Sequence, residues 1–127
     1  MLDNMKILVG FDGSNNSIRA LKEAETIMKK FSGSIKIITV YRQGMEKEAA
    51  EILELAKINL DNDVVYETEM ILGTNPARAL QNTASHENFD LIVIGSRGLG
   101  SKASILVGSV SRQIVANAEC NVLVVKK

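Results

Sequence analysis

Near-continuous apolar runs of strand length alternate along this chain with longer segments whose apolar residues recur every three or four positions. That alternation demands a parallel sheet, because strands buried on both faces read as unbroken apolar runs while the crossover helices bury only one stripe. The runs are Met5 to Gly10, Ile35 to Val40, Val64 to Leu72, Leu91 to Ile94 and Val122 to Val125. Between them lie four helical stretches. The first carries Ile18, Leu21, Ala24, Met28 and Phe31 on one face, and Gly33 is expected to close it in the left-handed conformation. In the second, Met45, Ala49, Ile52, Leu53, Ala56 and Leu60 form the stripe expected in the core. The third starts at Asn75-Pro76, a capping residue before a proline that lacks the amide a first helical turn would orphan, and runs to an exposed His86. The fourth spans about Ser109 to Asn117.

With right-handed crossovers the simplest arrangement is a doubly wound five-stranded parallel sheet of order 3-2-1-4-5, with helices on both faces, a Rossmann-like α/β fold. Strands one and four then lie side by side where the winding reverses, and ligands favour the crevice beyond their carboxyl ends. The loops that leave those strands, Phe11 to Asn16 and Gly95 to Gly108, are the most glycine- and serine-rich parts of the chain. Topology and composition nominate the same place.

The second loop is about twice the usual ~2 to 6 residues of a strand-to-helix connection. Its glycines allow a close backbone approach, and its amides can cradle phosphate oxygens. Gly108 leads into a helix whose first amides are unpaired and whose dipole favours an anion. Ser109 and Ser111 offer hydroxyls, and Arg97 and Lys102 offer positive charge. The Walker A spacing fails, because seven positions separate Gly95 from Lys102 and Ala103 follows the lysine. The dinucleotide fingerprint fails as well, since the first strand is followed by Phe11-Asp12-Gly13-Ser14.

Gly95, two residues, Gly98, nine residues, then Gly108-Ser109 resembles the pattern of the universal stress protein family. The resemblance extends over nearly the whole chain: a first strand ending in Asp12, Gly73 to Pro76, Asp90 to Gly98, Gly108 to Ser111 and a final strand. It implies that Gly95, Gly98, Gly108 and Ser109 hold the phosphates of ATP, or of ADP or AMP, with Arg97, Val110 and Ser111 nearby. It also implies that Asp12 contacts the nucleoside and that Phe11 and Val40 lie near adenine. Family members often carry prolines on either side of a cysteine near the last strand, where this chain has Glu119-Cys120-Asn121.

The function expected is a nucleotide-dependent regulatory switch in the stress response. Slow or partner-dependent hydrolysis with Mg²⁺ ranks below binding, because Asp12 is the only acidic residue in either loop. Two alternatives come from other classes: an interaction module with no functional nucleotide site, and a flavodoxin-like electron carrier, for which Phe11 alone among few aromatics is well placed. A receiver domain would need an acidic cluster after the first strand and an aspartate after the third, where Leu72-Gly73 stands.

With 127 residues the chain is read as one domain, 1–127, large enough for a core without staples. Fifteen basic against fifteen acidic residues leave no excess charge for nucleic acid or an anionic membrane. No apolar stretch approaches the ~20 residues of a membrane helix, and the single Cys120 fits a reducing compartment and behaves as a small apolar residue, so a cytoplasmic location is expected. No metal cage is expected. The last strand, apolar from Val122 to Val125, is an unprotected edge, while the opposite edge carries Glu67 and Glu69. That asymmetry, like the resemblance, points to a two-fold homodimer through the last strand; a further protein partner stays open.

Overall fold

The computed structural model describes residues 4–97 and 108–126. Its strands and helices alternate as β1 (Lys6–Gly10), α1 (Asn15–Phe31), β2 (Ser34–Tyr41), α2 (Glu46–Ile58), β3 (Tyr66–Leu72), α3 (Pro76–His86), β4 (Leu91–Gly95), α4 (Ser109–Asn117) and β5 (Asn121–Val125). All four strand pairings are parallel and the sheet order is β3-β2-β1-β4-β5, as the alternation of patterns requires. β1 and β4 pair through Leu8 and Ile92 at the reversal point.

Because successive side chains of a strand point to opposite faces, the sheet feeds two cores. Ile7, Val9, Ile35 and Ile37 pack under Ala20, Leu21 and Ala24 of α1 and Leu53 and Ala56 of α2. On the other face Leu8, Ile38, Ile92 and Ile94 pack under Ala77, Leu80 and Ala84 of α3 and Ile114 of α4. Each fully buried Ile or Leu contributes about 2 kcal/mol of transfer free energy, so the two layers hold the sheet from both sides.

The helix ends set where the loops point. Ser14 Oγ accepts the Ser17 amide at 3.1 Å and starts α1, and Asn75 Oδ1 accepts the Arg78 amide at 3.1 Å to start α3 with Pro76 behind it. Three details differ from the sequence reading. The left-handed residue that ends α1 is Ser32, at φ 52°, and not Gly33. Gly33 is required for another reason: a Cβ there would lie 2.3 Å from the Met5 carbonyl oxygen, where β2 begins its pairing with β1. Met45 precedes α2 and is 46% exposed, so it does not join the core stripe; the helix starts too late to turn it inward. β3 begins at Tyr66, because Val64 is spent on the turn from Asp61.

Candidate functional site

At the carboxyl ends of β1 and β4 a cleft of about 290 Å³ opens between the sheet and the starts of α3 and α4. Its walls combine an apolar slot with a polar mouth. Ile38 and Val40 of β2, Ile94 of β4, Leu80 of α3 and Phe11 line the slot, and Asp12, Arg97 and the start of α4 stand at the polar side.

The backbone around the slot is pinned. The Phe11 amide donates to the Ile38 carbonyl at 2.9 Å and the Thr39 hydroxyl donates to the Phe11 carbonyl at 2.8 Å, so the chain leaving β1 is held against β2. Asp12 Oδ1 accepts the Ser14 amide at 2.9 Å, a local turn bond that fixes the carboxylate beside the α1 start. Opposite, α1 presses directly on the end of β4: a Cβ on Gly95 would lie 2.7 Å from Asn16 Cβ and 2.9 Å from the Asn16 carbonyl oxygen. Only glycine fits there. Asn16 Nδ2 then donates to Ser96 Oγ at 3.2 Å and fastens the loop to α1.

The α4 start is assembled by Ser96. Its carbonyl accepts the Gly108 amide at 2.7 Å, and the buried Ser111 hydroxyl donates to the carbonyls of Gly95 and Ser96 at 2.7 and 3.2 Å. Gly108 is the N-cap, has no side chain, and caps nothing, so the amides of Ser109, Val110 and Ser111 receive no acceptor from the helix itself. No acidic residue offsets the positive end of the dipole in this first turn. α1 and α3 are both capped by side chains, and α2, uncapped as well, carries Glu46 and Glu48 in its first turn. Among the described residues the α4 start is thus the one with neither a side-chain cap nor a carboxylate, the arrangement that suits an anion.

Of the residues nominated from sequence, Phe11, Asp12, Val40, Gly95, Arg97, Gly108, Ser109, Val110 and Ser111 all line this one cleft. Gly98 and Lys102 lie outside the described residues. Ser111 is present in a different capacity from the one expected, since its hydroxyl proton is directed at backbone carbonyls. Gly10, Ser17, Ile38, Pro76, Leu80 and Ile94 also line the cleft and were not among the site residues nominated from sequence. The period-two alternation that puts Val40 on this face also puts Ile38 there, so that residue was within reach of the sequence. Pro76 and Leu80 depend on how α3 folds back over the sheet.

Two other residues sit where the sequence placed them. His86 is exposed at the end of α3, with Nδ1 at 2.8 Å from the Asn82 carbonyl oxygen. Cys120 packs half-buried against the second core, and burial pushes its thiol pKa up, away from thiolate chemistry. Among the described residues, no helix is long and apolar enough to cross a membrane.

The comparisons with known proteins bear on the family and the fold. A universal stress protein of Methanocaldococcus jannaschii is 33% identical over 140 residues, covering 96% of this chain and 82% of the relative. A universal stress protein solved in complex with cAMP superposes with a TM-score of 0.72 at 26% identity, covering 95% of this chain and 96% of that one. The universal stress protein of Archaeoglobus fulgidus in complex with dAMP shares the fold, with a TM-score of 0.80 at 23% identity and coverage of 96% and 98%. Finally, the sequence profile of the universal stress protein family matches residues 4–126, and the chain belongs to that family.

Proposed function

We propose that residues 1–127 act as one cytoplasmic domain that binds an adenine nucleotide, ATP foremost, and serves as a nucleotide-dependent switch in the stress response. The observation that carries this reading is the α4 start, uncapped and free of acidic residues, at the mouth of an apolar slot. A base needs the slot and a phosphate needs the helix start, and few ligands need both. Phe11, Val40 and Leu80 would enclose adenine, Asp12 would accept a ribose hydroxyl, and Gly95, Arg97, Gly98, Gly108, Ser109, Val110 and Ser111 would surround the phosphates. The related protein solved with cAMP supports an adenine nucleotide as the ligand class.

Binding is preferred to hydrolysis on chemical grounds. Asp12 is the acidic residue lining the cleft, and one of its oxygens already accepts the Ser14 amide. Mg²⁺ would enter with the phosphates and be held by them. The dimer belongs to the same proposal: β5 is an edge strand with Val122, Leu123, Val124 and Val125 only partly buried, which suits pairing with a second copy.

Mass spectrometry of nucleotide released from the purified protein, with ATP titration calorimetry, tests the reading. Ser109→Glu supplies the control, because a carboxylate at the exposed first position of α4 suits the helix dipole while repelling a phosphate. The expected result is bound adenine nucleotide in the parent and at least about tenfold weaker ATP binding in a variant that melts no lower. Absence of ATP binding by the parent, or equal binding by the variant, would overturn the site.

A further inference from the structure

Arg19, Arg42, Arg78, Arg97 and Arg112 are all the arginines of the sequence, and every one belongs to the carboxyl end of the sheet. Arg42 follows β2 and Arg97 follows β4, while Arg19, Arg78 and Arg112 stand within the first five residues of α1, α3 and α4. Helical Cα–Cβ bonds tilt toward the N-terminus, so these last three lean to the same end as the cleft. Some of the lysines behave differently. Lys22, Lys29, Lys36 and Lys57 are ion-paired with glutamates or aspartates, whereas Arg19, Arg42, Arg78 and Arg112 have no carboxylate partner among the described residues.

The placement also opposes helix stability. Cations near a helix N-terminus oppose the dipole, and α1, α3 and α4 carry no acidic residue in their first turns. α2 follows the ordinary rule, with Glu46 and Glu48 in its first turn, so the departure is confined to the other helices. A local rule broken at α3 and α4, the two helices whose starts line one cleft, points to a functional surface.

Among these arginines Arg78 and Arg112 form a pair. Gln81 Nε2 of α3 donates to the Gln113 carbonyl of α4 at 3.0 Å, which places the two exposed arginines within about a turn of one bridge between the helices. Pro76 and Ser111, just before them, line the cleft. The pair therefore continues the polar mouth outward from the α4 start.

Resting on the adenine-nucleotide reading above, we propose that the cleft favours a ligand whose phosphate chain outruns that of ATP and reaches Arg78 and Arg112: an adenosine polyphosphate or a dinucleoside polyphosphate. Guanidinium groups suit this role because they clasp phosphate in a bidentate fork. The balanced net charge of the chain argues for a small polyanion over nucleic acid, which would need a wider basic field.

Calorimetry with AMP, ATP, adenosine tetraphosphate and diadenosine tetraphosphate, on the parent and on the Arg78→Gln/Arg112→Gln double variant, tests the proposal. The parent is expected to bind the two tetraphosphates at least about tenfold more tightly than ATP, and the variant to reduce that gain to about twofold. AMP affinity should move less than about twofold between them, because AMP does not reach the pair. Equal parent affinity for ATP and both tetraphosphates, or an undiminished gain in the variant, overturns the polyphosphate proposal and leaves the nucleotide reading standing. Failure of every adenosine compound to bind overturns both.

Discussion

The amide of Ser96 donates to the carbonyl of Val125 at 2.9 Å, so the first residue beyond β4 in the cleft loop is tied to the last residue of the edge strand β5. The same Ser96 carbonyl receives the Gly108 amide. A ligand that settles the α4 start therefore also settles the end of β5.

Because the Val125 carbonyl faces β4, the alternation of a strand turns the backbone groups of Val124 outward. In a dimer paired through β5 the Val124 amide is protected, and saturation with ATP should slow exchange at both Val124 and Ser96. Amide exchange followed by NMR at two protein concentrations checks this. Concentration-independent exchange at Val124 would remove the dimer interface, and an ATP-insensitive Ser96 would remove the coupling.

Ser111 acts on the ligand through the backbone. Its buried hydroxyl clamps the Gly95 and Ser96 carbonyls, which in turn seat Gly108. Ser111→Ala should cost about 1–2 kcal/mol in urea unfolding, the net worth of a buried hydrogen bond with some unmet demand at the carbonyls. ATP affinity should fall with it, as the α4 start loses its fixed position. A variant of unchanged stability and reduced affinity would instead make Ser111 a direct ligand.

How far the sequence reaches depends on the range of the forces involved. The α3 boundaries, Pro76 to His86, were legible because Asn75 and Pro76 specify a helix start locally. The strand order followed from periodicity and crossover handedness. Gly33 was misread because the close approach to Met5 is a contact between the residues that lead into two strands, invisible in either alone. Ser111 was read as a hydroxyl for phosphate because nothing local tells it that the Gly95 carbonyl lies 2.7 Å away. The placement of the arginines was illegible for the same reason: scattered positions come to one end only when parallel strands bring every helix start there.

Two glycines at this end give different penalties when replaced. A Cβ on Gly95 meets Asn16 Cβ at 2.7 Å and its backbone carbonyl carbon at 2.8 Å, atoms that cannot move without shifting α1. A Cβ on Gly10 meets Leu80 Cδ1 at 2.7 Å, the far end of a side chain that can turn away. Gly95→Ala should lose about 2–3 kcal/mol and Gly10→Ala about 1 kcal/mol or less in chemical denaturation, within the range of overpacked cores. Because Leu80 turns into the cleft, Gly10→Ala should weaken ATP while sparing the fold. Equal destabilisation by the two would mean that α1 yields as easily as a leucine rotamer.

Lys36 ties α3 to the sheet in a way that depends on pH. Its side chain is 9% exposed, with Nζ 2.7 Å from Glu69 Oε1 of β3 and 2.9 Å from Glu87 Oε1 at the end of α3. Burial alone would lower the lysine pKa, but the hydrogen bonds and charges of Glu69 and Glu87 outweigh it and hold the value above the ordinary 10.5. Lys6 Nζ adds a second cation by donating to the Glu87 carbonyl. Since the folded pKa lies above the unfolded one, the stabilisation is complete below pH 10.5 and is lost as pH rises through the folded value. Lys36→Met keeps the buried stem and removes the charge, leaving two half-exposed carboxylates that water can solvate. It should therefore cost on the order of 1–2 kcal/mol at neutral pH. The difference in urea stability between parent and variant should stay constant from neutrality to about pH 10 and narrow above that. A difference that widens with alkalinity would show that Lys36 is held neutral in the fold, and the ion pairs with Glu69 and Glu87 would have to be abandoned.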